Sequence, residues 1–202
     1  MTVKSFIYLI ATLALIGCKE SSNIKGSTTE SASSTTDIAS LTQTCIACHG
    51  KNGVSNNTDW PSLAGQKAGY LLAQLRAYRD GSRVNDLMQP TLFEGISDNQ
   101  LKEMAVFYSS QPLPQLVTNP DINKNGLDVR ALCISCHGMQ GLTVNDTWPN
   151  LAGQSAGYLK ATLLDYKNGN RKNPVMEVIV STLTEQQISD VAEYYSQTAQ
   201  YQ

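Results

Sequence analysis

Two histidines in 202 residues leave little room for chemistry that depends on imidazole, and the five cysteines are almost as sparse. A surplus of positive charge is also missing. Fifteen Lys and Arg face seventeen Asp and Glu, giving a formal net charge of -2 and a pI near 5.6. With both signs interspersed and no basic patch, nucleic-acid binding is excluded. Long hydrophobic runs are absent as well. A helix that spans a bilayer needs about 20 apolar residues, and the best candidate, Phe6 to Ile16, is too short. No convincing period-two alternation of apolar and polar residues occurs, so nothing points to half-buried strands.

The short apolar run has a meaning of its own. It follows Lys4 and leads into Leu15-Ile16-Gly17-Cys18. A basic start, a brief apolar stretch and a small residue before the cut describe a secretory signal over residues 1–17. Its end resembles a bacterial lipobox, which makes Cys18 an acylated N-terminus that holds the protein at a membrane surface without crossing it. Lys19 stands where Gram-negative lipoproteins retained at the inner membrane often carry Asp, so the resemblance favours the outer membrane. Residues 18–36 continue as a tether. Ten of the eighteen residues after Cys18 are Ser or Thr, and Ile24 is the only sizeable apolar one. Such a segment cannot bury enough surface to fold, and as a flexible coil it spans roughly 25 Å.

Beyond the tether the chain repeats itself. Cys45-Ile46-Ala47-Cys48-His49-Gly50 recurs 88 residues later as Cys133-Ile134-Ser135-Cys136-His137-Gly138. Trp60-Pro61-Ser62-Leu63-Ala64-Gly65-Gln66 recurs as Trp148-Pro149-Asn150-Leu151-Ala152-Gly153-Gln154 at the same shift. Tyr78, Gly81, Arg83 and Met88 match Tyr166, Gly169, Arg171 and Met176, after which the shift drops to 87 and Phe107-Tyr108-Ser109 matches Tyr194-Tyr195-Ser196. The prolines of Gln111-Pro112-Leu113-Pro114 interrupt regular structure. The organisation is therefore a first domain at 37–111, a linker at 112–124 and a second domain at 125–202. Leu71, Leu72, Leu75 and Tyr78 recur at helical spacing, as do Leu101, Met104, Ala105 and Tyr108 after a start signal at Ser97-Asp98. Val191, Ala192 and Tyr195 repeat the pattern. The fold class is all-α: two small tandem helical domains of about 80 residues each, a size at which an unaided core is marginal.

All the scarce residues fall into three motifs. Four Cys and both His form two Cys-x-x-Cys-His units, and the fifth Cys ends the lipobox. With so few His, one follows a given Cys-x-x-Cys by chance roughly 1% of the time, and twice about once in ten thousand. Two Cys three apart on a helical turn face the same way, so both thiols reach the two vinyl groups on one edge of a haem. The following His then presents its imidazole to the iron. This is the c-type haem attachment signature. A thioredoxin-like dithiol calls for a βαβ pattern that the sequence lacks. Structural zinc is the further alternative, and paired disulfides suit an exported protein but leave both His unexplained. A closed, electron-carrying iron needs a sixth ligand, and no third His exists. Met is the soft thioether that partners His in such sites. Met88 follows His49 by 39 residues and Met176 follows His137 by 39, whereas Met104 aligns with Val191 and Met139 with Lys51. Only Met88 and Met176 are duplicated.

Over residues 37–202 the chain resembles the cytochrome c4 family, the dihaem branch of class I cytochromes c, in its Pro-x-Leu-Ala-Gly-Gln, Tyr-Leu and Gly-x-Arg elements and its terminal helices ending in paired aromatics. The resemblance implies two class I domains whose haems approach through their propionate edges. It implies that the carbonyls of Pro61 and Pro149 accept the Nδ1–H of His49 and His137. Arg83 and Arg171 become candidates for the propionates, with solvated surface arginines the other reading. The implied function is one-electron transfer in the periplasm, without a small-molecule substrate. The donor would be a quinol-oxidising complex or dehydrogenase, and the acceptor a terminal oxidase or reductase. A dihaem enzyme of the peroxidase or thiosulfate dehydrogenase type, and the cytochrome subunit of a larger dehydrogenase, are the other classes. An enzyme of that kind needs an exchangeable iron position or an unusual axial ligand.

The lipobox generates the first prediction. Cys18→Ser should release the protein from membranes while leaving its visible spectrum intact. Continued membrane association of that variant would contradict lipidation as the anchor.

Overall fold

The computed structural model describes residues 37–112 and 122–198. The signal, Cys18, the tether and most of the linker lie outside the described residues. No helix among the described residues is long and apolar enough to cross a membrane. Those residues form helices joined by long loops, with no strand among them. The first repeat contains α1 (Ile38–His49), α2 (Ala68–Arg79) and α3 (Asp98–Ser109), with a 3-10 turn at Pro90–Phe93. The second contains α4 (Lys124–Val129), α5 (Ile134–His137), α6 (Ala156–Asn168), α7 (Pro174–Ser181) and α8 (Glu185–Gln197), with a 3-10 turn at Arg130–Leu132.

Local chemistry fixes the ends of the helices. Ser97 and Thr184 each close a capping box with the Gln three residues on, satisfying otherwise orphaned backbone donors at the starts of α3 and α8. Gly50 and Gly138 end α1 and α5 at φ 77° and 82°. A Cβ at either position would collide with the carbonyl of Val54 or Leu142, so the residue after each Cys-x-x-Cys-His must be glycine for the chain to turn.

Each repeat has its own apolar core. In the first, Tyr78, Phe93, Leu101 and Met104 pack together, and Cys45 and Met88 lie against them. In the second, Leu159, Leu183, Ile188, Val191 and Tyr195 form the centre, with Cys133 against it. Burying a side chain such as Leu101 or Ile188, both 0% exposed, contributes about 1.5–3 kcal/mol.

The described residues of the two repeats nevertheless fall in one compact unit, and polar hydrogen bonds join them. The Ser62 amide donates to Gln154 Oε1 and Gln154 Nε2 donates to the Ser62 carbonyl, both at 2.8 Å. The reciprocal pair holds Asn150, whose amide donates to Gln66 Oε1 at 2.7 Å and whose carbonyl accepts from Gln66 Nε2 at 2.9 Å. The starts of α2 and α6 meet opposing loops in the same way: the Tyr70 amide donates to the Asp146 carbonyl and the Tyr158 amide to the Thr58 carbonyl. The interface thus carries an approximate two-fold symmetry, the same residues of each repeat facing their counterparts' surroundings.

Gly69 and Gly157 sit where those backbones approach. A Cβ on Gly157 would lie 2.6 Å from the Thr58 carbonyl oxygen, a backbone atom with little freedom to yield. Gly157→Ala should therefore destabilise the two-repeat unit by about 1–3 kcal/mol, the usual cost of overpacking. Thermal unfolding of the holoprotein against wild type measures this, and an unchanged midpoint would contradict so tight an approach.

Candidate functional site

Each candidate site begins at the end of a helix. The end of α1 carries Cys45, Cys48 and His49, and α5 begins just after its cap Cys133 and ends with Cys136 and His137. Both imidazoles are buried, at 6% and 8% exposure. His49 Nδ1 lies 2.8 Å from the Pro61 carbonyl oxygen, and His137 Nδ1 lies 2.9 Å from that of Pro149. With Nδ1 bound to a carbonyl, that nitrogen carries the proton and Nε2 keeps its lone pair for a metal. Burial lowers both imidazole pKa values, against a smaller upward pull from the Pro carbonyl, which keeps the rings neutral and ready to ligate.

The four cysteines of the repeats are not joined in disulfides. Burial foremost raises Cys45, and it raises Cys133 to about 11. Cys45 and Cys133 sit against the buried rings of Tyr108 and Tyr195. Among the described residues no three His, Cys, Asp or Glu side chains gather into a group that could hold a metal ion.

Met88 and Met176 are both half-buried, and the structure sets them in different local surroundings. Met88 lies in a loop that Pro90 prevents from becoming helical, whereas Met176 lies in the first turn of α7, begun by Pro174. One device is common to both. Asn85 Oδ1 accepts from the amides of Leu87 and Met88, and Asn173 Oδ1 accepts from those of Val175 and Met176. The two Asn are 88 residues apart, a match that the repeat comparison could have revealed.

Arg83 and Arg171 are not solvated surface residues. Arg171 is 6% exposed, and each guanidinium stacks on a tyrosine of its own repeat, Arg83 on Tyr78 at 4.6 Å and Arg171 on Tyr166 at 4.7 Å. Both converge on Gln74 Oε1, to which each donates at 2.7 Å. Arg171 also donates to the Tyr70 hydroxyl at 3.0 Å and Arg83 to the Tyr158 hydroxyl at 3.4 Å, both across the interface. The ion pairs among the described residues involve Arg76, Arg79, Asp80 and Asp98, and none neutralises this cluster. Burial pushes the Tyr158 hydroxyl up, yet the two guanidiniums outweigh it and the net shift is downward. Two like charges buried together without a carboxylate are costly, and the cluster is short of negative charge. A group carrying carboxylates at the junction of the repeats fits that deficit. Paired vinyl-reactive thiols, a neutral His with Nε2 available and uncompensated guanidiniums together fit a haem in each repeat.

A family model described as Cytochrome c matches residues 37–117 and again 127–199. A "Thiosulfate dehydrogenase electron acceptor" of Stutzerimonas stutzeri is 32% identical over 172 residues, covering 77% of this chain and 79% of that protein. Cytochrome c4 of Pseudomonas aeruginosa is 30% identical over 164 residues, 74% of this chain and 81% of that one. The crystal structure of reduced recombinant cytochrome c4 from Pseudomonas stutzeri superposes with a TM-score of 0.73 at 28% identity, covering 81% of this chain and 97% of its own. The chain belongs to the cytochrome c family. Its tandem domains make it a dihaem class I cytochrome of the c4 type, with haem c bound covalently at Cys45/Cys48 and Cys133/Cys136. It is an electron carrier rather than an enzyme, and its partners are redox proteins.

Replacing Cys45 and Cys48 with Ala should leave one haem per chain, seen as a halved pyridine haemochrome and an intact mass lower by one haem. The first repeat should lose helix content as well, because its small core depends on the cofactor. Full helicity by circular dichroism would contradict that dependence.

Proposed function

We propose that the protein is an exported one-electron shuttle in which both irons are closed, His49 and Met88 serving the first and His137 and Met176 the second. When bound, each haem supplies an iron that cycles between ferric and ferrous states. His49 and His137 present Nε2, while the Pro61 and Pro149 carbonyls hold their rings in orientation and raise their basicity. Met88 and Met176 contribute a soft sulfur that favours the ferrous state. Arg83 and Arg171 supply the counter-charge for propionates at the junction, which supports the two haem edges meeting there. The observation that carries the closed-iron reading is the duplicated Asn turn. Asn85 and Asn173 bond the backbone of Met88 and Met176 in the same pattern, although the surrounding segments differ in secondary structure. The same anchor thus holds the backbone at the two methionines that the repeat places 39 residues after each His.

The first domain extends over 37–111 and the second over 125–202, joined by 112–124. The setting is the periplasm, with acylated Cys18 and the tether of residues 18–36 holding both domains near a membrane, the outer one in a Gram-negative envelope. A dehydrogenase or quinol-oxidising complex delivers the electrons and a terminal oxidase or reductase removes them. The dehydrogenase branch is supported by the relative named as an electron acceptor of thiosulfate dehydrogenase.

Wild-type ferric protein should show the weak far-red sulfur-to-iron charge-transfer band at an intensity for two haems, and the reduced protein should bind little carbon monoxide. Met88→Ala and Met176→Ala should each remove half of the band, open one iron to carbon monoxide and lower that haem's potential. Carbon monoxide binding at one haem of the wild type would overturn the closed-iron reading and favour an enzyme.

A further inference from the structure

We infer that each repeat sets the electronic character of the other repeat's proximal histidine, through a single peptide unit and a carboxamide that crosses the interface. The Pro61 carbonyl and the Ser62 amide belong to one peptide bond. Its oxygen receives His49 Nδ1–H at 2.8 Å, and its N–H donates at 2.8 Å to Oε1 of Gln154, a residue of the second repeat. The Pro149–Asn150 peptide does the same in reverse. Its oxygen lies 2.9 Å from His137 Nδ1, and its N–H donates at 2.7 Å to Gln66 Oε1 of the first repeat.

A peptide unit is conjugated, so the two hydrogen bonds at its ends are not independent. Acceptance of the N–H by the Gln oxygen draws the proton away and leaves more negative charge on the carbonyl oxygen. That oxygen becomes a better acceptor for Nδ1–H, the imidazole gains anionic character, and the ferric iron it ligates is favoured. Chains of hydrogen bonds strengthen one another by roughly 10–30% per bond.

The carboxamides are prepared for this role. Gln66, Gln154, Ser62 and Asn150 are all buried, at 6–9% exposure, which removes competing water. Each Oε1 also accepts the amide that follows it, Lys67 or Ser155, at 2.9 Å, while each Nε2 donates to the carbonyl of the opposing Ser62 or Asn150. A flipped amide would set NH2 against N–H on one side and oxygen against oxygen on the other, so one orientation alone satisfies both neighbours. The two sides are not identical. Asn150 Nδ2 donates to the Gly65 carbonyl at 3.1 Å, whereas on the other side Ser155 Oγ donates to the Trp60 carbonyl at 2.9 Å. Gln66 and Gln154 are thus positioning residues that act through a backbone they do not share with the histidine they influence.

This inference rests on His49 and His137 being the proximal ligands, and it is independent of the Met assignment. The test is a haem-resolved redox titration of the holoprotein, with each haem followed through its assigned NMR resonances. Gln154→Met keeps the volume and removes the bonds. It should lower the ferric-to-ferrous ratio of the first haem roughly twofold at a fixed ambient potential, shift the His49 Nδ1–H resonance, and speed hydrogen exchange at the Ser62 amide. The second haem and His137 should be unmoved. Gln66→Met should give the reciprocal result. Asp146→Ala removes an interface bond from the Gly69 amide that touches neither peptide, and it should leave both ratios at wild type. Gln154→Glu retains the acceptor and should keep the first haem at or below its wild-type potential.

Equal shifts at both haems, a shift confined to the haem of the mutated repeat, or no shift would each overturn the inference. So would a shift in Asp146→Ala matching that of Gln154→Met. Loss of the charge-transfer band in wild type would instead count against the closed-iron reading, leaving the crossed pattern to be judged by the histidine resonances.

Discussion

The loop that carries Pro61 and Ser62, and its copy at Pro149 and Asn150, is the constraint on which both halves of the molecule rest. On one side of the peptide plane lies the imidazole of the same repeat, and on the other the carboxamide of its neighbour. Fixing the plane therefore orients a ligand and joins two domains in one act. An amide bonded in this way contributes only about 0.5–1.5 kcal/mol net, whereas a buried donor left unmet costs about 1–3 kcal/mol. The penalty for a mismatched buried partner, more than the reward for contact, makes the pairing specific. It also explains why the apolar cores stay separate: the interface has no need of apolar area to be selective.

Charge completes the junction. Arg83 and Arg171 come together at Gln74, Tyr70 and Tyr158, and neither is in an ion pair with a carboxylate among the described residues. Such a cluster is unfavourable in a protein alone and favourable once anionic groups enter. The covalent haems complete each small core, and on the proposed function their propionates also supply the missing charge at the seam. On the proposed function, haem edges that meet at this seam suit an electron carrier.

Much of this was legible before the structure. The Cys-x-x-Cys-His pairs, the repeat at 88 residues and the helical spacing around Leu101 and Tyr195 are local signals, and they define the fold and the covalent cofactor. The start of α3 at Ser97 could be read because its capping partner, Gln100, lies three residues away. The roles of Gln66 and Gln154 could not be read in the same way. Their partners lie 84 and 92 residues distant, and no periodicity encodes such a contact, although both residues stood out as duplicated. Arg83 and Arg171 were ambiguous for a related reason: a residue's burial depends on what the other repeat places over it. The different settings of Met88 and Met176 follow from where a proline falls, since Pro90 comes two residues after the first Met whereas Pro174 comes two residues before the second.

The central claim is that two haem irons sit in this scaffold with both axial positions filled by protein, one nitrogen ligand and one thioether each. Iron X-ray absorption on the oxidised holoprotein reads this directly, because sulfur scatters at a longer distance than nitrogen and the number of scatterers is averaged over both irons. The account predicts one sulfur neighbour per iron, falling to one half in Met88→Ala and again to one half in Met176→Ala. An average near one half, or near zero, in the wild-type protein would contradict it.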